Sequence, residues 1–361
     1  MRVLFITRTS IERLSGGDKI QILNTKQALE KLGVTVTLAT EQTTIPAGTD
    51  IVHVFNPSQL SAAPLRAARA AGIPVVVSTI HWDMREYYRA MFAVNRKFLS
   101  IRPPRFLRHY AVNQCKALAY NFIWNPAVLK ILRTVFTQAD LLLPNSQAEA
   151  DLLVRDFSIP HDHIVPVVNG FDASMASSVV AGAFKKANNL GDFVLCVGRV
   201  EYRKNQLALI EALMNEPYTL VFIGRPLDPG YMALCTALGT RRGKTVFIDH
   251  MDQQQLFGAY RDARVHAMVS WYETPGLSSL EAASVGTNLV LTRGGCTEEY
   301  FGSDASYCEP TDPESIRVAV RQAWNKPKND ALSKRIAEKY TWDETGRETL
   351  AAYRLVKPAH Q

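Results

Sequence analysis

The sequence predicts an α/β protein made of two doubly wound parallel-sheet domains that face a central cleft. Three observations predict it. Short β-branched runs alternate with longer amphipathic stretches, the pattern of parallel strands covered by helices. The alternation runs through twice, once up to about residue 172 and again from about residue 190. The chain has 361 residues, more than the ~250 at which a single core stops growing.

In the first half the strand candidates are RVLFIT (2–7), VTVTLA (34–39), IVHVF (51–55), PVVVST (74–79), LLLPN (141–145) and IVPVV (164–168). Each is short and rich in apolar residues, as a strand buried on both faces requires. Residues 19–33 have helical spacing and end on Gly33, a helix-stop signal. The segment 173–191, rich in small and polar residues, predicts the boundary between domains 1–172 and 190–344. The second series of strands is FVLCVG (193–198), YTLVFIG (218–224), TVFID (245–249), VHAMVS (265–270) and NLVLT (288–292). The amphipathic stretch 340–356 predicts a terminal helix, and residues 345–361 are expected to cross back to the first domain.

Composition narrows the class. Hydrophobic residues make up 47% and charged residues 21% of the chain, which excludes disorder and fibrous repeats. Cys115, Cys196, Cys235, Cys296 and Cys308 are odd in number and scattered, and read as thiols of a reducing compartment. The opening MRVLFITRTS reads as a strand and not a signal peptide, and nothing approaches ~20 uninterrupted apolar residues, so a cytoplasmic protein is expected. The net charge is +7, but residues 84–135 hold ten Lys/Arg against one acid, Glu86. His161 and His163 supply two ligands without a third, so no metal site is expected there.

The most informative stretch is SWYETPGLSSLEAASVGTNLVLTRGG (270–295). A strand ends near Ser270, a turn holds Pro275 and Gly276, and a helix begins near Leu277. Such a turn presents free N–H groups at Leu277 and Ser278 and the positive end of a helix, which suits a diphosphate. Gly276 lets that backbone approach a ligand closely. Glu281, in the first turns, tilts back toward the helix start, while Glu273 faces the cleft. In FVLCVGRVEYRKNQ (193–206) a buried strand runs into Arg199 and, five residues on, Lys204. Two cations beyond a parallel strand face the crevice, where they can neutralise a diphosphate. Read without further context, Glu281 could simply complement a helix dipole and the cations could be surface charges.

These segments resemble the retaining glycosyltransferases of family 4, which have the two-domain GT-B fold. Glu273 and Glu281 match the signature of two glutamates separated by seven residues, with Gly276-Leu277, Leu280-Glu281-Ala282 and Gly286 around them. Gly198-Arg199 and Lys204 resemble the donor-phosphate motif. Ser15-Gly16-Gly17, after the first strand, resembles the glycine pair that approaches the donor phosphates from the N-terminal domain. The resemblance implies that Glu273 sits against the donor sugar and Glu281 holds the ribose. It places His81, at the end of TIHWD (79–83), near the reacting carbon, although a histidine at a strand end also serves packing. His53 reads as packed or as lining the acceptor side. The resemblance makes the N-terminal domain the acceptor side and the C-terminal domain the nucleotide-sugar side. The departures fall at Pro275, Asp249-His250 and Arg225, near the sugar and the base.

The expected activity is a retaining, metal-independent transfer of a sugar from a nucleotide diphosphate sugar to a glycan or lipid-linked acceptor, in cell-surface polysaccharide or lipopolysaccharide synthesis. No cofactor or metal is expected, since no Asp-x-Asp pair occurs and Arg199 and Lys204 supply the positive charge. Two alternatives stand beside it: a nucleotide-sugar epimerase on the same fold, and a catalytically silent nucleotide-sugar-binding subunit. Residues 84–135 add nine aromatics to their basic charge, a composition suited to an anionic membrane surface. The other reading of that segment is a helical insertion with core aromatics and solvated arginines. Nucleic acid is not expected, because no basic stripe continues elsewhere.

Overall fold

The structure, a computed structural model, describes residues 1–11, 16–40, 44–57, 62–84, 87, 115, 118, 125–240 and 242–356. The chain divides into two compact units. The first comprises Met1–Trp82, Asn121–Gly170 and Tyr340–Gln361, and the second Phe171–Lys339 with Asp83–Tyr120.

The first unit holds β1 (Arg2–Thr7), β2 (Thr35–Thr40), β3 (Ile51–Phe55), β4 (Val75–Ser78) and β5 (Leu141–Leu143), ordered β2-β1-β3-β4-β5 and parallel throughout. The second holds β6 (Phe193–Val197), β7 (Thr219–Ile223), β8 (Thr245–Ile248), β9 (Val265–Met268), β10 (Asn288–Thr292) and β11 (Ser306–Cys308), ordered β11-β10-β9-β6-β7-β8, again all parallel. β3, β4, β6, β9 and β10 are buried along their whole length, which is why they read as unbroken apolar runs. In each sheet the strand order reverses beside the first strand, between β1 and β3 and between β6 and β9. In an open α/β sheet that reversal opens a crevice outside the carboxyl ends of the strands, where ligands bind.

The terminal helix Trp342–Val356 belongs to the first unit and packs on the helix Gly17–Lys31. It buries Trp342, Thr345, Gly346, Thr349, Ala352 and Tyr353, a stripe at helical spacing. Three elements differ from the sequence reading. Residues 164–168 form no strand: Ile164 makes one bridge to Leu142, and although Val165 N and Val167 N donate to Leu142 O and Pro144 O, Pro144 has no N–H with which to return the next bond. β11 is three residues long, too short to announce itself by periodicity. Residues 173–188, read as a boundary, form the short helices Ala173–Ser177 and Ala183–Asn188, and the buried Asp262 carboxylate accepts from the Gly182 and Lys185 amides.

Candidate active site

The reversal between β6 and β9 determines which loops meet in the second unit. The loop after β6 carries Arg199, Arg203 and Lys204, and the loop after β9 carries Glu273 and Gly276. Three hydrogen bonds stitch them together, and a fourth ties the first loop to the segment after β11. Trp271 N donates to the Arg203 carbonyl at 3.0 Å, and Arg203 Nη1 to the Tyr272 carbonyl at 3.1 Å. Asn205 Nδ2 donates to Val269 O at 3.1 Å and to Pro310 O at 2.8 Å. Asn205 has φ 58, a left-handed conformation that asparagine tolerates better than most residues.

At the seam Lys204 Nζ lies 2.6 Å from Glu273 Oε1, with Arg203 Nη1 at 3.4 Å from the same oxygen. Both members of the closer pair are buried, Lys204 to 9% and Glu273 to 6% exposure. Burial pushes the Glu273 carboxyl up, but Lys204 and Arg203 outweigh it and hold it at about 2. Arg203 also reaches Glu201 at 3.3 Å and lies over the Tyr272 ring, 5.2 Å from its centroid. Arg199 is more open and pairs with Glu201 at 3.2 Å. The structure therefore brings Lys204 onto Glu273, and turns Arg199 toward Glu201.

Behind the turn, Gly294 and Gly295 leave no room for a side chain. A Cβ at Gly294 would lie 2.2 Å from Trp271 O, and one at Gly295 2.1 Å from Glu273 O. Glu273 N donates to Gly294 O, and Cys296 N to Glu273 O, so the strand end after β10 fixes the backbone of Glu273.

Gly276, at φ 82, caps the helix Leu277–Ser284, and Gly286, at φ 78, follows its end. The amides of Leu277 and Ser278 occupy first-turn positions that have no intrahelical acceptor. Glu281 is buried on this helix. Its Oε1 accepts from Gln253 Nε2 at 2.7 Å and its Oε2 from Tyr260 OH at 2.8 Å. Burial pushes its carboxyl up to about 7 against the pull of those two bonds.

Gly16, Gly17 and His81 belong to the first unit. Gly16 is the extended N-cap of the helix Gly17–Lys31, whose Asp18 holds the buried Arg8 at 2.8 Å. His81 is buried beside β4, its ring edge-on to Phe157 and its Nε2 2.8 Å from Asp156 Oδ2. Its amide donates to Glu149, a fully buried carboxyl that burial pushes up to about 7 although Thr79, His81 and Asn145 all donate to it. His53 lies in the core of that unit, bonded to Tyr353 at 2.6 Å and Ser78 at 2.9 Å, and burial lowers it to about 3.

Arg203, Asn205, Gln253, Tyr260, Gly294 and Gly295 were not singled out from the sequence. The signals present were the charged run Glu201–Lys204 and the Gly-Gly pair after β10, but each partnership joins residues far apart in the chain. The 84–135 segment lies outside the described residues apart from Met84, Tyr87, Cys115, Leu118 and the residues from 125 on. Tyr87 contacts Trp271, ring centroids 6.2 Å apart. No helix among the described residues is long and apolar enough to cross a membrane.

Two doubly wound parallel sheets, with loops gathered at the strand-order reversal of the second, define a GT-B protein. Comparison with known proteins agrees. The family described as "Glycosyl transferases group 1" matches residues 183–340, and "Glycosyltransferase Family 4" matches 42–175. Both matches are to glycosyltransferase families, and together they span most of the chain. It is 29% identical to an uncharacterized glycosyltransferase of Methanocaldococcus jannaschii over 55% of this chain and 56% of that protein. It is 24% identical to the O-antigen chain mannosyltransferase B of Escherichia coli over 63% and 64%. The matches thus span less than two thirds of these relatives' length. Among solved structures, sucrose-phosphate synthase of Thermosynechococcus elongatus superposes with TM-score 0.75 at 14% identity over 100% of both chains. HepE of Anabaena, in complex with UDP and glucose, superposes with TM-score 0.69 at 17% identity over 98% of this chain and 100% of that one.

Proposed function

We propose that the protein is a retaining, metal-independent glycosyltransferase that moves a sugar from a nucleotide diphosphate sugar to a glycan or lipid-linked acceptor in cell-surface polysaccharide synthesis. The observation that carries the reading is the Lys204–Glu273 pair, 2.6 Å apart at the reversal of the second sheet and three residues before Gly276. The site combines a fixed carboxylate, a fixed ammonium and the start of a helix. These meet the needs of sugar hydroxyls and of the phosphate charge that grows as the glycosidic bond breaks.

In the proposed step the bond between the anomeric carbon and the β-phosphate oxygen breaks, and the acceptor oxygen bonds to that carbon on the same face. The acceptor proton passes to the departing phosphate oxygen, so that nucleoside diphosphate leaves and no side-chain base is required. Lys204, Arg199 and the Leu277 and Ser278 amides balance the charge of the leaving group, and Gly16-Gly17 and His81 are assigned to the donor phosphates and the sugar. Glu273 orients the sugar, and Glu281 accepts from the ribose. Placement in polysaccharide synthesis draws support from the mannosyltransferase relative, and a nucleotide donor from the UDP-bound HepE structure.

The test is turnover with a panel of UDP-, GDP-, ADP- and dTDP-sugars and saccharide or lipid-linked acceptors, with and without excess EDTA. The expected result is acceptor-dependent nucleotide release that persists in EDTA, product with the donor's anomeric configuration, at least a hundredfold loss in Glu273→Gln, and weakened nucleotide binding in Glu281→Ala. A strict requirement for added divalent metal, an inverted product, or wild-type turnover in Glu273→Gln would overturn it.

A further inference from the structure

The Glu281 carboxylate is held by two donors from a single helix. Gln253 and Tyr260 stand seven residues apart on the helix Gln253–Asp262, two turns along, so both lie on one face. They divide the carboxylate between them, Gln253 taking Oε1 at 2.7 Å and Tyr260 taking Oε2 at 2.8 Å. One bond to each oxygen fixes both the position and the plane of the group. Tyr260 cannot swing away: it is fully buried, with its ring edge-on to Phe257 and His266. Thr287 Oγ1 donates to its carbonyl at 2.5 Å, tying the end of that helix to the segment before β10. An ionised carboxylate accepts about four hydrogen bonds. Among the described residues two are made here, which leaves one acceptor position on each oxygen, the number needed for a vicinal pair of hydroxyls.

Glu281 projects from the helix that begins at Gly276, so the sites argued above for sugar, diphosphate and ribose are carried by one turn-and-helix unit. We infer that Gln253 and Tyr260 are positioning residues that hold Glu281 in the orientation that reads the two ribose hydroxyls, and that this relay sets a preference for ribonucleotides over deoxyribonucleotides. The inference rests on the reading of Glu281 as the ribose acceptor. Burial, which pushes Glu281 up to about 7, gives the relay a second role: each donor favours the ionised form, which accepts from hydroxyls. Loss of Tyr260 OH therefore moves the pH midpoint of ribonucleotide binding upward.

The test is calorimetric titration of UDP, GDP and ADP and of their 2′-deoxy counterparts, continued with the base that binds tightest, on the wild type, Tyr260→Phe, Gln253→Ala and Glu281→Gln between pH 6 and 8.5. The wild type should prefer the ribonucleotide. Tyr260→Phe should lose about tenfold in ribonucleotide affinity, keep its deoxyribonucleotide affinity and shift its pH midpoint upward. Gln253 is exposed, so Gln253→Ala should fold normally and show the same pattern at smaller size. An equal loss toward both sugars would mark Tyr260 as merely structural and overturn the proposal. If Glu281→Gln abolishes the ribose preference while Tyr260→Phe and Gln253→Ala keep it, the positioning role falls and the ribose reading stands. If Glu281→Gln keeps the wild-type preference, or the wild type has none, both fall.

Discussion

Glu273 is an ionised carboxylate in a place where burial alone would neutralise it, and Lys204 makes the difference. The pair illustrates why a buried ion pair is costly to break and less costly to remove. Lys204→Met leaves Glu273 facing Arg203 at 3.4 Å and nothing closer from that loop. We expect a loss of about 3–5 kcal/mol in urea unfolding. Adding Glu273→Gln to Lys204→Met should recover most of that stability and none of the turnover. A double variant no more stable than the single one would show that the pair is not the source of the cost. Lys204 and Glu273 could each be read from the sequence, because each sits at a recognisable distance beyond a buried strand. Their contact could not, since 69 residues separate them and only the pairing of β6 with β9 brings their loops together.

The turn 270–276 depends on an element that is not part of it. Gly294 and Gly295 lie against its backbone, and Gly295 also has φ 98. Gly295→Ala must move Glu273 or strain both segments, so a loss of about 2–4 kcal/mol is expected, with kcat falling more than the affinity for nucleotide. Gly72 makes the control. It has φ 69 but open space around it, so Gly72→Ala should cost about 1 kcal/mol and leave kcat unchanged. Equal effects of the two substitutions on kcat would remove the buttressing role. The long buried strands were legible because burial on both faces demands unbroken apolar runs. The segment 164–168 shares that composition, yet Pro144, just past β5, has no N–H to carry the ladder on. The helices within 173–188 were hidden because their support comes from the distant Asp262.

Stability of the whole molecule should follow four buried groups of opposite sense. Glu149 and Glu281 are raised from 4.5 to about 7, so the stability they contribute is full below pH 4.5 and is lost as pH rises through 7. His53 and His266, lowered by burial from 6.5 to about 3, contribute stability that is full above pH 6.5 and is lost as pH falls through 3. Each group is worth about 1.4 kcal/mol per pH unit within its window. Between pH 4.5 and 6.5 the two pairs oppose each other, which predicts a plateau. Above it stability declines through about pH 7 and then levels off. Below pH 4.5 the histidines act unopposed, joined by Glu273, which loses its contribution as pH falls from 4.5 through about 2. Urea unfolding between pH 3.5 and 8 checks this, and a steady decline on acidification from pH 8 to 5 would contradict it.

The class of fold, the family resemblance and the identity of most candidate groups came from local order along the chain. Strand burial, helix spacing and the turn-and-helix around Gly276 are short-range consequences of side-chain size, polarity and backbone freedom. Which groups face one another came from topology. The strand order placed the loops after β6 and β9 side by side, putting Lys204 and Arg203 on Glu273. Packing of the helix Gln253–Asp262 against the helix Leu277–Ser284 set Gln253 and Tyr260 on Glu281. The terminal helix returned Tyr353 to His53, 300 residues away. Such pairings depend on which strands and helices become neighbours in space, and that choice is made by the burial of whole faces, to which no single segment of sequence holds the key.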